Sequence, residues 1–246
     1  MTITLHQILH ISRSGMMTRM LDLDLVSHNL SNINTAGFKT SRSNFQEMLN
    51  QRIYNGVQLR TTQRFMDQGA FKQTSRPLDL AINGGGFFAV TLPDGRTAYT
   101  RDGEFTLDSN RQIVNANGFP LVWDGSIPDD AEEVNVETDG SVMVLQGGTW
   151  NQAGVIQLAR FPNENGLEGF GNNLWLETTV SGAPIIGAPT SEGYGEVRNH
   201  MLEQSNVNIA NEMSQMILLQ RSFELSLRTF QATDQMLDQA IQMRRI

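Results

Sequence analysis

Apolar residues recur with a helical period at both ends of the chain and with a strand period between them. Toward the C-terminus Met213, Met216, Gln220, Phe223, Leu227, Phe230, Asp234, Leu237 and Ile241 follow at alternating steps of three and four, the spacing of a seam on which helices pack. At the N-terminus the pattern predicts a helix over about Leu5–Ile33. Leu5, Ile8, Ile11, Leu25 and Val26 make one stripe, and Met16, Met20, Leu23 and Leu30 make a second. A helix apolar on two sides needs more than one neighbour. Thr4 with Gln7 three residues on has the form of a capping box. In the run Asn34-Thr35-Ala36-Gly37, Gly37 is expected to close the helix in the left-handed conformation. On that reading Gly37→Asn should be milder than Gly37→Val.

Between about Phe38 and Pro77 the pattern is mixed, and predicts a short helical extension near Ser43–Gln51 and an extended connector through Thr61–Thr74. From Leu78 the period is two: Leu78, Leu80 and Ile82 alternate with Asp79 and Ala81, and Phe87-Phe88-Ala89-Val90 has the composition of a buried strand. Asp94-Gly95, Asp102-Gly103, Asn117-Gly118, Asp124-Gly125 and Asp139-Gly140 are the dipeptides of tight hairpin turns. Pro184, Gly187, Pro189, Gly193 and Gly195 mark an exit loop. Asn208 then stands as an N-cap, with Glu212 at the positive end of the closing helix and Arg244 and Arg245 at its negative end.

The expected layout is an N-terminal helix over 1–33, a connector over 34–77, a central β-rich domain over 78–195, a return segment over 196–208 and a C-terminal helix over 209–246. The fold class is α+β: long N- and C-terminal helices packing as a coiled-coil-like pair, with a central antiparallel β-rich domain. Terminal helices built to pair around a separate compact body fit a subunit of an assembly better than a catalyst.

Composition narrows the field. With 246 residues, 39% hydrophobic and 18% charged, the chain can bury a sizeable core. Its net charge of -8 opposes binding to phosphate backbones, so nucleic acid is not an expected partner. The absence of cysteine removes disulfides, thiol catalysis and cysteine-ligated metals together. The N-terminus carries no basic region followed by an apolar run and a cleavage site, so if the chain leaves the cytosol it is expected to go by a route without a cleaved signal peptide; no membrane insertion is expected either.

Candidate chemistry reduces to little. His6 and His10 sit four apart, but the zinc pattern wants Glu after the first His and Gln7 stands there. Gly84-Gly85-Gly86 runs into strand where a phosphate loop would open a helix. Asp102, Glu104 and Asp108 are acids of hairpin turns, with no His or apolar pocket evident beside them. Asn29-Leu30-Ser31 is a sequon inside a packed helix. No catalytic residue, cofactor or metal is expected, and the twelve methionines offer adaptable apolar surface.

The remaining runs carry a resemblance. Ser27-His28-Asn29-Leu30-Ser31-Asn32-Ile33-Asn34-Thr35-Ala36-Gly37-Phe38-Lys39 is similar to the N-terminal signature of bacterial flagellar rod and hook proteins. Leu78-Asp79-Leu80-Ala81-Ile82-Asn83-Gly84-Gly85-Gly86-Phe87-Phe88 and Tyr99-Thr100-Arg101-Asp102-Gly103 resemble the family's central motifs. Leu202-Glu203-Gln204-Ser205-Asn206-Val207-Asn208, with Gln220-Arg221 and Thr233-Asp234-Gln235-Met236-Leu237, resembles its C-terminal one. The match spans nearly the whole chain in the family's order. Runs such as Gly166-Leu167-Glu168 and Ser181-Gly182-Ala183-Pro184 resemble the distal rod type; the proximal rod type is the alternative, because the segment between Phe45 and Thr62 is short for the distal one. A tail-like or adhesin-like structural protein would explain the layout but not the motifs.

The resemblance implies a structural subunit, not an enzyme, that polymerises into a hollow helical drive shaft and transmits torque across the cell envelope. It implies export by the flagellar type III apparatus, a place in the periplasmic basal body, and partners among copies of itself, other rod and hook proteins and the ring proteins around the rod. The expected assembly interface comprises Ile8, Ile11, Leu25, Asn29, Asn32, Gly37, Phe38, Asn206 and Val207, together with the C-terminal seam from Met213 to Ile241.

Overall fold

The computed structural model describes residues 5–48 and 56–243, with side chains described over 12–43 and from 62 onward except Leu237, Ala240, Ile241 and Met243. The chain divides into two compact units: one comprises 1–32, 40–65 and 207–246, the other 33–39 and 66–206.

The first unit is built on α1 (Leu5–Ser31) and α2 (Ile209–Met243), which pack against each other. The pairing is antiparallel, since Asn29 near the end of α1 meets Glu212 in the first turn of α2. Asn208 caps α2 as expected, its Oδ1 accepting from the Asn211 N–H at 3.1 Å. Thr4, Arg244 and Arg245, assigned to helix ends from the sequence, lie outside the described residues. A hairpin completes the unit: β1 (Ser41–Met48) runs antiparallel to β2 (Gly56–Arg64), from Ser41↔Arg64 to Met48↔Gly56, with a bulge at Asn44/Phe45. The helix expected near Ser43–Gln51 is therefore strand up to Met48. Cross-strand pairing with β2 supplies backbone partners that a helix of that length in water lacks.

The strands of the second unit all pair antiparallel. After β3 (Phe71–Gln73) come β4 (Leu80–Asn83), β5 (Phe88–Thr91) and β6 (Thr97–Thr100). Strand β4 pairs with Glu196–Asn199, with Ile82 opposite Val197, and β3 pairs with Met201–Glu203. One four-stranded sheet has the order Glu168–Gly171, Leu174–Leu176, β6, β5; another has the order Glu133–Val136, Ser141–Gln146, Thr149–Ile156, Trp123–Gly125. The main core gathers Leu80, Ile82, Phe88, Val90, Phe105, Ile156, Leu158 and Val197, all at most 1% exposed. Phe88 and Phe105 meet edge to face at 5.2 Å. A second cluster joins Phe87, Tyr99, Phe161 and Trp175.

The alternation expected at β4 does not appear. Asp79 and Ala81 are buried with Leu80 and Ile82, so the strand is covered on both faces. Of the turn dipeptides, Gly95, Gly118 and Gly140 take positive φ as tight turns require. Gly103 and Gly125 do not: Gly125 lies inside a strand, and a Cβ on Gly103 would overlap the carbonyl oxygen of Leu80. Gly103 marks a close backbone approach, not a hairpin tip.

Candidate assembly site

In the first unit α2 turns Glu212, Met216, Leu219, Phe223, Ser226, Phe230 and Thr233 away from solvent, a set that recurs at steps of four and three. Of the seam read from the sequence, Met216, Phe223 and Phe230 belong to this inward set. Met213, Gln220, Leu227 and Asp234 are exposed, and Ile8, Ile11, Leu237 and Ile241 have side chains outside the described residues. The exposed side of the helices is strongly apolar: Ile209, Met213, Ile217, Leu218, Leu225 and Met236 on α2, and Met17 and Met20 on α1, are each about half exposed or more. A groove of about 300 Å³ beside them is floored by Leu25, Val26, Leu218 and Leu219 and rimmed by Asp22, Arg42 and Gln215. Ser43 hydrogen-bonds Asp22 at that rim.

Asn29 is the polar pin of this unit. It is 1% exposed; its Nδ2 donates to the Ser41 carbonyl at 2.9 Å and to Glu212 Oε2 at 3.2 Å, and its Oδ1 accepts from the Ser41 N–H at 3.0 Å. One amide thus satisfies a strand residue and a carboxylate at once, a requirement for burying either. Its Nδ2 is fully engaged, so the sequon at Asn29 presents no accessible acceptor. Asn32 caps the end of α1, its N–H and Nδ2 donating to the His28 carbonyl at 3.2 and 2.8 Å. The helix therefore closes before Gly37. Gly37 does take φ +66°, but its N–H donates to the Glu203 carbonyl at 2.8 Å, and a Cβ there would stand 2.5 Å from the backbone nitrogen of Asp102. The conformation serves close approach of two segments of the second unit, not a helix cap.

Around that approach the second unit buries an ion cluster that sequence reasoning missed. Lys39 Nζ lies 2.6 Å from Glu203 Oε1, with both side chains 0% exposed, and Arg101 Nη1 lies 3.6 Å from Glu203 Oε2. Lys39 Nζ also donates to the Asp67 carbonyl at 2.8 Å, and the Gly69 N–H donates to Glu203 Oε1 at 2.9 Å. The Arg101 guanidinium stacks over the Phe87 ring at 5.0 Å. Two cations thus share one carboxylate out of water. Burial lowers the pKa of Lys39, with Glu203 opposing the shift, and lowers that of Arg101 in the same way. Phe38 and Asn206 belong to the same neighbourhood: the Asn206 N–H reaches the Phe38 carbonyl at 3.4 Å, and its Nδ2 donates to the Asp67 carbonyl at 3.0 Å. Val207 is buried in the first unit. The available signal was a charge close behind an apolar or aromatic residue in each of three motifs: Phe38-Lys39, Tyr99-Thr100-Arg101 and Leu202-Glu203.

Asp102, beside Arg101, is half-buried and its pKa is pushed up to about 6, chiefly by burial and further by Glu104 and Asp79. The Glu104 N–H and Arg76 pull the other way. Arg76 is engaged with Asp79 at 2.6 Å. The burial that shifts Asp102 was not evident from sequence. A second groove, about 370 Å³, lies beside Tyr99, Trp123 and Ile186. Among the described residues no group of His, Cys, Asp and Glu is placed to hold a metal, and no helix is long and apolar enough to cross a membrane.

Residues 9–39 match the flagella basal body rod protein family, 81–144 the flagellar hook protein FlgE/F/G D1 domain, and 198–243 the flagellar basal body rod FlgEFG protein C-terminal family. The chain is 39% identical to the flagellar basal-body rod protein FlgG of Buchnera aphidicola, over 96% of this chain and 98% of that protein. It is 38% identical to that of Caulobacter vibrioides over 97% and 99%, and 33% identical to that of Bacillus subtilis over 94% and 97%. The matched segments contain most of α1, all of α2, part of the β body and all three charges of the buried cluster, Lys39, Arg101 and Glu203. The chain belongs to the flagellar basal-body rod protein family, as a structural subunit and not an enzyme.

Proposed function

We propose that the chain polymerises with copies of itself into a hollow helical rod of the distal type, a drive shaft that carries torque across the cell envelope. The observation that carries this reading is the apolar outer side of α1 and α2, which a single chain leaves in water. At 1.5 Å per residue the two helices are about 40 and 50 Å long, enough to present extended contact surfaces side by side. A head-to-tail contact that does not close into a ring propagates as an open helix. The inward set on α2, spaced by four and three, supports a coiled-coil-like pair within each subunit. Exposed methionines on both helices let one surface fit neighbours that are not identical, as other rod and hook proteins at the ends of the rod would be.

In this reading the subunit is exported by the flagellar type III apparatus, stands in the periplasmic part of the basal body and is encircled by ring proteins. Electron microscopy of the purified full-length chain at high concentration is the test. Tubes with the helical symmetry of a single repeated chain are expected. A chain that stays monomeric at every concentration and restores no motility to a rod-deficient strain would refute the reading.

A further inference from the structure

We propose that Glu203 is a positioning residue: its buried carboxylate, held by Lys39 and Arg101, is a clamp that roots every passage of the chain between the two units. The chain passes from one unit to the other at 32/33, 39/40, 65/66 and 206/207. Each passage lies within a few residues of a group bound to this cluster. Gly37 donates to the Glu203 carbonyl, Lys39 to Glu203 Oε1 and the Asp67 carbonyl, and Gly69 to Glu203 Oε1. Asn206 closes the ring onto Asp67 and Phe38. The cluster lies wholly within the second unit.

The chemistry is more demanding than filling a core requires. Burying charges is costly, and apolar residues of similar volume often serve stability as well or better. Arg101 Nε and Nη1 and Glu203 Oε2 also find no hydrogen-bond partner among the described residues, so the cluster is not optimised as a network. What an ion cluster offers that an oily contact does not is geometric: the Lys39 ammonium and the Gly69 N–H donate to one carboxylate that the Arg101 guanidinium also faces, which fixes where each of those segments stands. Resting on the reading of the chain as a torque-carrying rod subunit, the clamp makes the four passages bear load together, so that none is pulled out singly.

The test uses the full-length chain, with hydrogen exchange read separately from swimming. In Glu203→Gln, two buried cations lose their counter-charge. The amides of Gly37, Gly69, Gln204 and Asn206 should exchange about tenfold faster or more, while amides of β5 and β6 keep their protection. Swimming should be lost. The triple variant Lys39→Met/Arg101→Met/Glu203→Met fills the site with apolar side chains; its β core should stay protected while the same four amides remain fast and swimming remains absent. Either of two outcomes overturns the clamp: unchanged exchange at those amides in Glu203→Gln, or slow exchange and normal swimming in the triple variant. If Glu203→Gln does not fold, the triple variant alone decides. Failure of the wild-type chain to form tubes would count against the rod reading and leave the exchange result, and hence the clamp, to be judged separately.

Discussion

At the residue scale, the decisive positions are those where a backbone or a charge has nowhere else to go. Gly37 shows the difference a structure makes. Its positive φ is readable from the turn-like run around it, and a helix cap would accept Asn there. The structure places the Asp102 backbone 2.5 Å from any Cβ at that position, so side-chain type hardly matters. Gly37→Asn and Gly37→Val should both abolish swimming, and a motile Asn variant would contradict the close approach. Asp102 gives a pH dependence. The folded chain holds its proton up to about pH 6, whereas the unfolded chain releases it near 3.8, so between those values the folded state binds more protons and stability falls as pH rises. Asp102→Asn should therefore stabilise the chain at pH 7 by on the order of 1–2 kcal/mol. Thermal melts at pH 4 and pH 7 would show it as a flatter pH profile; an unchanged slope would sink the argument.

At the element scale, the two long helices and most of the strands follow from periodicity, because a 3.6 or 2.0 repeat needs no knowledge of the partner. What the period does not determine is phase. Ile217, Leu218 and Leu219 are apolar on three sides of α2, while Ser226 and Thr233 face inward as small polar residues, so hydrophobicity favours Leu227 over the position that is covered. The 41–48 segment was illegible for a different reason: its strand state depends on pairing with 56–64, a non-local contact. The corrected phase separates two roles. Phe230→Asp puts a charge on the inward side of α2 and should reduce the helical circular dichroism of the free chain. Leu225→Asp, at a position 64% exposed, should leave that signal intact and still block tube formation, since an unpaired charge buried in a subunit contact costs several kcal/mol. Equal behaviour of the two variants would show that inner and outer faces are not distinct.

At the scale of the whole molecule, the β body needs more chain than its strand-rich stretch suggests. A fragment over 78–195 omits Glu196–Asn199 and Met201–Glu203, the partners of β4 and β3, and so uncovers Leu80, Ala81 and Ile82, none more than 1% exposed. A fragment over 66–206 keeps both pairings and should unfold cooperatively in urea as a soluble β monomer, whereas 78–195 should show no transition. Cooperative unfolding of the shorter fragment would mean that these outer pairings contribute little. The buried cluster was hidden at this scale too: Lys39, Arg101 and Glu203 are far apart in sequence, and only the fold brings three motifs to one carboxylate.

The pairing of β3 and β4 with the strands at 196–203 means that the stretch between them begins and ends in neighbouring strands, about 5 Å apart. Such a stretch is a graft on a closed stem. Residues can be added at an outlying hairpin, as at Gly147-Gly148 where nothing crowds either glycine, without altering the spacing of the stem. A lineage can therefore lengthen the middle of this protein, or discard part of it, and inherit the stem unchanged.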